Sequence, residues 1–306
     1  MDFRILGPLE ALDEGRVVTP RGAKQRALLA LFLVHANETL STDWLIEELW
    51  GERPPATAAK TVQVHVSHLR KALALGVNSG ADGVILTHGR GYELRLDPRQ
   101  LDSRRFEALV AEGRGELAEG RPERAVSILE QALSLWAGPA LADLAYEPFA
   151  QREIARLDDL RAAALEQLIE AKLELGRHDE VVPQLEALIR EHPYRERLRV
   201  QLMLALYRCD RQADALQAYQ DARRTLVGEL GIEPGDRLRE LEHAILAQDP
   251  TLALPAVEAP ALPPELDDRT PLVGRQVELE RLHEHWRRAR AGARAGNTTA
   301  DAPRVR

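Results

Sequence analysis

The chain has 306 residues, a net charge of −8, 44% hydrophobic residues and 4% aromatic residues. This length fits about two domains of roughly 150 residues each. No apolar run reaches the ~20 residues of a membrane span, and no basic segment followed by an apolar one marks a secretory signal. The single cysteine excludes disulfide scaffolds and multi-cysteine metal sites. These features predict a cytoplasmic globular protein.

The first 98 residues combine strand and helix signals. Short extended runs broken by turn residues are predicted at 3–6, 9–12 and 17–18. Helices are predicted over about 24–35, from the start cluster Ser41-Thr42-Asp43 to Trp50, and over about 57–75. Residues 84–87 and 92–96 then form a hairpin around His88-Gly89-Arg90-Gly91. This order of elements predicts a winged helix-turn-helix domain over 1–98.

Residues 99–250 read as helix after helix. Arg177 and Arg211 each precede an amphipathic helix and are 34 residues apart, which is the tetratricopeptide period. A similar opening at Arg121 lies 56 residues before Arg177, so the repeat is irregular. A final capping helix is predicted over 237–247. The predicted fold class is therefore mainly α with a small β component: a winged helix-turn-helix domain followed by an all-α, tetratricopeptide-like domain.

The composition changes again after residue 250. Residues 251–272 are rich in Pro and Ala, which is typical of a semi-rigid linker. We expect residues 273–306 to be either the start of a truncated NTPase domain or a disordered tail.

The third helix carries the strongest functional signal. A helical wheel places Ala58, Val62, Val66, Leu69 and Leu73 on one face, which predicts a core face. The opposite face is mostly polar and basic and carries Lys60, Gln63, Val64, Ser67 and Lys71. His68 and Arg70 lie at the edges of this face. No Asp or Glu occurs between Pro54 and Leu75, which avoids repulsion from phosphates. Gln63 can contact adenine, the lysines can reach guanine or phosphate, and Val64 can contact a thymine methyl.

The hairpin after this helix has a basic tip. His88 and Arg90 can grip phosphate or enter a narrow minor groove, which attracts cations. Two plainer interpretations stay open: the third helix is an ordinary surface helix, and Gly89 and Gly91 merely form a turn.

The segments 61–73 and 87–92 together resemble the OmpR-type winged helix of response regulators. Over about four fifths of its length the chain resembles the Streptomyces antibiotic regulatory protein family, in which such a domain is fused to a helical bacterial transcriptional activation domain. Further matching segments are 3–9, 24–30 and 229–235. The resemblance implies base or phosphate contacts at Lys60, Val64, His65, Ser67, His68 and Arg70. The family's usual wing arginine falls at His88, with Arg90 two residues later.

The resemblance also implies partners. Family members bind direct repeats in promoters as side-by-side dimers and recruit RNA polymerase holoenzyme, including sigma factor. We therefore expect a cytoplasmic, nucleoid-associated activator that controls secondary-metabolite genes and is not an enzyme. Residues 270–282 resemble the segment that opens the NTPase domain of large members, but no GxxxxGK[ST] loop follows. ATP hydrolysis would need a longer form that carries this loop.

Other sites and functions are less favoured. His65 and His68 have helical spacing that suits a metal, but no Cys or acidic residue accompanies them on the helix. We therefore predict no catalytic, cofactor or metal site. The alternative function is a helical-repeat adaptor without specific DNA binding, because stacked helix pairs form concave surfaces that bind proteins.

Overall fold

The computed structural model describes residues 1–20, 22–74 and 84–253. Within these ranges the strands are β1 (Asp2–Arg4), β2 (Glu10–Asp13), β3 (Arg16–Val17), β4 (Thr39–Ser41), β5 (Ile85–His88) and β6 (Gly91–Leu94). The helices are α1 (Ala23–Val34), α2 (Thr42–Trp50), α3 (Ala58–Ala74), α4 (Asp102–Ala118), α5 (Pro122–Leu133), α6 (Pro148–Glu174), α7 (His178–Glu191), α8 (Glu196–Arg208), α9 (Gln212–Thr225) and α10 (Asp236–Leu246). The fold is thus mainly α with a small β component, as predicted. The predicted linker over 251–272 lies outside the described residues from residue 254 onward. The segment 273–306, predicted as an NTPase start or a tail, lies outside them entirely.

The first sheet is an antiparallel meander in the order β1-β2-β3. Its first strand ends at Arg4, two residues earlier than the sequence predicted. The amides of Ile5 and Leu6 instead donate to the buried carboxylate of Asp102, at 2.9 Å and 3.0 Å. These amides are therefore unavailable for a strand ladder.

The second sheet forms the wing and has the order β4-β6-β5. Ser41 ends β4 and caps α2, because its side chain accepts a hydrogen bond from the amide of Trp44 at 3.1 Å. Strand β4 was not predicted from the sequence. Its pairing with β6 explains Gly91, since a Cβ there would lie 2.7 Å from the carbonyl oxygen of Leu40.

The helical half repeats one turn three times. Gly120, Gly176 and Asp210 have φ values of +69°, +74° and +61°, and each precedes an arginine at a helix start. The amides of Arg121, Arg177 and Arg211 donate to carbonyls five residues back, at 2.9, 2.9 and 3.0 Å. These 6→1 bonds close the preceding helix. The predicted repeat openings therefore correspond to one recurring structural turn.

One hydrophobic core joins the two halves. It contains Phe3, Leu28 and Leu69 together with Phe106 and Ala164 of the helical half. Residues 1–254 accordingly form one compact unit. The domain boundary predicted at residue 98 stays a prediction, and it falls between two segments that share this core. No helix within the described ranges is long and apolar enough to cross a membrane.

Candidate nucleic-acid interface

Helix α3 separates its buried and exposed side chains as the helical wheel predicted. The predicted core residues are all at most 5% exposed: Ala58, Val62, Val66, Leu69 and Leu73. Of the residues predicted on the opposite face or at its edges, Arg70 is half-buried and the other six are exposed: Lys60, Gln63, Val64, Ser67, His68 and Lys71. Val64 is 42% exposed, which places an apolar group on an otherwise polar face. We call this set of six residues the outer face of α3.

The outer face of α3 is electrostatically positive. The helix contains no Asp or Glu, and neither Lys60 nor Lys71 forms an ion pair with any residue that the structure describes. Their charges are therefore free to meet an anionic ligand. An α-helix of this size fits the major groove of B-DNA, where such groups reach base edges and phosphates.

The two histidines of α3 have different surroundings. His65 is half-buried, its Nδ1 is buried without a hydrogen-bond partner in the described part of the chain, and burial together with the nearby His68 lowers the pKa of His65. His68 is exposed, and its Nδ1 lies 3.1 Å from Nε2 of Gln25 on α1. Of the two, His68 is the one that solvent and ligands can reach.

Arg70 connects α3 to the wing. Its Nε donates to the carbonyl of Ile85 at 2.9 Å, and a terminal guanidinium nitrogen donates to Oγ1 of Thr87 at 2.7 Å. Two of its donors are therefore engaged by β5. Arg70 holds the wing against α3, a role that the sequence did not indicate.

The wing tip brings His88 and Arg90 to the surface with different partners. Nε2 of His88 lies 2.7 Å from a carboxylate oxygen of Glu93 on the neighbouring strand. Arg90 is exposed and has no ion-pair partner among the described residues. Its carbonyl accepts from the amide and hydroxyl of Thr42, at 2.9 Å and 2.7 Å, which fixes the turn to the start of α2. Of the two side chains, Arg90 is thus the one that is free to meet a ligand.

Three residues of this surface were not predicted as site residues: Gln25, Thr42 and Glu93. Each contacts a predicted site residue from another element, and no local motif marks such a contact. As for metals, no group of three His, Cys, Asp or Glu side chains within the described ranges is arranged to hold an ion.

The geometry defines a class of protein: a winged-helix transcriptional regulator joined to a helical domain. Comparison with known families agrees. Residues 17–94 match the model of the C-terminal domain of transcriptional regulatory proteins, and residues 101–246 match the bacterial transcriptional activator domain.

Individual relatives cover most of the chain. Regulatory protein DnrI of Streptomyces peucetius is 40% identical over 265 residues, which is 85% of this chain and 97% of that protein. Regulatory protein AfsR of Streptomyces coelicolor is 40% identical over 252 residues, 82% of this chain but only 25% of that protein. The solved structure of Mycobacterium tuberculosis EmbR in complex with a low affinity phosphopeptide has a TM-score of 0.78 and 40% identity, covering 81% of this chain and 65% of that one.

The chain therefore belongs to the Streptomyces antibiotic regulatory protein family, as the resemblance implied. It is a transcriptional regulator of the activator type, and the class implies DNA as its partner. The family is one of regulators rather than of enzymes.

Proposed function

We propose that the chain is a sequence-specific activator that binds promoter DNA through the outer face of α3 and through the wing. The observation that carries this proposal is the exposure of Lys60 and Lys71 on a helix without acidic residues. In a chain of net charge −8, a carboxylate-free exposed face is suited to a polyanion.

Within this interface the residues have distinct proposed roles. Base edges are read by four side chains of the outer face: Gln63, Val64, Ser67 and His68. Lys60 and Lys71 contact phosphate or guanine. His65 and Arg70 contribute mainly by supporting the interface rather than by contacting DNA, because His65 is half-buried and Arg70 is hydrogen-bonded to the wing. Arg90 contacts the backbone or the minor groove, and His88 does so only when it leaves Glu93.

The family likeness supports further proposals about assembly. The chain binds direct repeats as a homodimer on DNA and recruits RNA polymerase holoenzyme, including sigma factor. It activates secondary-metabolite genes and is a cytoplasmic, nucleoid-associated protein. The protein is titrated into DNA that carries either one or two half-sites, and binding is monitored by sedimentation. The comparison measures whether the second copy of the protein binds more tightly than the first.

Footprinting across genomic DNA, followed by binding to the protected promoter, tests the central proposal. The logarithm of the binding constant should fall with the logarithm of salt concentration with a slope of about −0.9 per phosphate contacted. Lys60→Glu should abolish specific binding. Arg152→Glu makes the same charge change at an exposed position of α6 and should bind like the wild type. A flat salt dependence without a preferred sequence would reject the proposal.

The alternative is an adaptor that binds proteins through the helical half. A groove of about 390 Å³, lined in part by Arg190, Leu202 and Gln217, lies between α7, α8 and α9. Such a groove suits a peptide or a helix. If the chain is an adaptor, we expect no DNA footprint and no difference in DNA binding between the Lys60→Glu and Arg152→Glu variants. The same experiment therefore separates the two functions.

A further inference from the structure

The geometry points to Gln25 as a positioning residue that sets which bases His68 recognises. Gln25 lies in the first turn of α1, far from α3 in sequence, yet its side-chain nitrogen is 3.1 Å from Nδ1 of His68. The inference rests on the proposed function, since it concerns how the outer face of α3 reads DNA.

The chemistry of the two groups fixes the direction of this hydrogen bond. The amide nitrogen of Gln25 is only a donor, so Nδ1 of His68 must be the acceptor. A neutral imidazole that accepts at Nδ1 carries its hydrogen on Nε2. Gln25 therefore selects the tautomer in which exposed His68 offers a donor, and disfavours the one in which Nε2 is an acceptor.

A donor at His68 discriminates among base pairs. In the major groove, guanine presents two acceptors, N7 and O6, whereas cytosine presents the N4 donor. His68 held in the Nε2–H form therefore favours guanine over cytosine at the position it faces. A ring free to change tautomer can satisfy either base, and the discrimination falls.

Gln25 is suited to hold this tautomer because its own position is restricted. It is partly buried, and its backbone belongs to the first turn of α1. Holding the histidine from a second helix removes part of the rotamer freedom that recognition would otherwise have to restrict.

The test is selection from a random DNA library with the full chain and four variants: Gln25→Met, Gln25→Asn, His68→Ala and the double variant Gln25→Met/His68→Ala. Met preserves the length of the side chain without the donor, and Asn keeps an amide that is one methylene too short. Both should lower the guanine preference at one position by about 10-fold, with other positions unchanged. The double variant should match His68→Ala, because the effect of Gln25 passes through His68.

A spectroscopic readout separates positioning from general stability. The ¹⁵N resonances of the His68 ring, assigned by their loss in His68→Ala, should show one nitrogen protonated and one not in the wild type, and averaged values in Gln25→Met. Uniform weakening for all sequences would make Gln25 a phosphate contact and overturn the inference, as would an unchanged guanine preference or an effect that persists without His68. If the wild type selects no sequence, the proposed function itself fails.

Discussion

Arg26 of α1 and Asp143 of the helical half form an ion pair in which Nε of Arg26 lies 2.9 Å from Oδ2 of Asp143. The other oxygen of Asp143 accepts from the amide of Leu9 at 2.7 Å. One carboxylate thus binds both α1 and the residue that precedes β2, each more than 100 positions away in sequence. Together with the shared core, this contact makes the winged-helix half structurally dependent on the helical half.

Asp143→Asn should therefore destabilise the whole chain. The side chains of the pair are only 24–25% exposed, so the loss leaves a partly buried guanidinium without its counter-charge, and we expect a cost of about 1–3 kcal/mol. Urea unfolding followed by circular dichroism measures it. Asp214→Asn breaks the half-exposed pair with Arg211 and should cost less than about 1 kcal/mol. Equal midpoints for the two variants would contradict this role of Asp143.

Arg70 and Lys71 are adjacent on α3 but should respond differently to the same substitution. Arg70→Met removes the two hydrogen bonds to the wing and should lower the free energy of unfolding by about 1–2 kcal/mol. Hydrogen exchange at the amides of β5 and β6 should become faster. Lys71→Met should leave stability unchanged and weaken DNA binding with a smaller salt slope. Unchanged wing exchange in Arg70→Met would show that the connection to the wing is unimportant.

Glu93 should limit how strongly the wing binds DNA. Its carboxylate lies between His88, at 2.7 Å, and Arg95, at 3.2 Å. Glu93→Gln removes a negative charge from the wing and releases His88, so affinity for promoter DNA should rise about 2–5-fold at low salt, with a smaller gain at high salt. Fluorescence anisotropy measures this. Glu180→Gln removes a carboxylate paired with Arg177 in the helical half and should leave affinity unchanged; a gain equal to that of Glu93→Gln would refute a local effect.

The buried carboxyl group of Asp102 should make the free energy of unfolding depend on pH. Burial raises the pKa of its carboxyl group, although the amides of Ile5, Leu6 and Ser103 partly oppose the shift. A raised pKa means that the folded chain binds this proton more tightly than the unfolded chain does. The resulting stabilisation is complete below the unfolded pKa of about 4 and is lost as pH rises through the folded value. The stability advantage over a non-titrating variant therefore shrinks with rising pH.

Asp102→Asn supplies that comparison. Its amide nitrogen would face the amide of Leu6, which now donates to Oδ2 of Asp102, so the variant should be less stable by about 1–3 kcal/mol. Urea unfolding at several pH values should show the difference from wild type larger near pH 4 than near pH 7, the range set by an ordinary aspartate pKa of about 4. A difference that grows with pH would reverse the assigned direction of the pKa shift.

Local patterns explain what was predictable and what was not. The start of helix α3 was predicted to within one residue, because its apolar residues recur at helical spacing and Pro54-Pro55 precede it. Strand β4 escaped prediction, since its three residues are extended only because they pair with β6, some 50 positions later. The contacts of Arg70 with β5 depend likewise on tertiary structure.

The packing of the two halves against each other was the part of the fold that the sequence predicted least. The short extended run at residues 3–6 indicates a strand, but the local pattern does not identify what it packs against. In the structure Ile5 and Leu6 are buried in a core that includes Phe106, and their amides are bound by Asp102. A charged residue at the start of α4 reads as a helix cap from sequence alone. Its partners lie nearly 100 positions earlier, and no local signal connects them.

The recurring turn of the helical half gives a last prediction. Asp210 adopts φ +61°, whereas the equivalent positions, with φ +69° and +74°, are occupied by Gly120 and Gly176. A side chain at such a φ costs free energy that glycine avoids, so Asp210→Gly should stabilise the chain by about 0.5–1 kcal/mol, partly offset by the greater entropy of the unfolded glycine. Gly176→Asp is the reciprocal change and should destabilise by a similar amount. Urea unfolding of both variants decides the matter: if they shift the midpoint in the same direction, the turns are not equivalent.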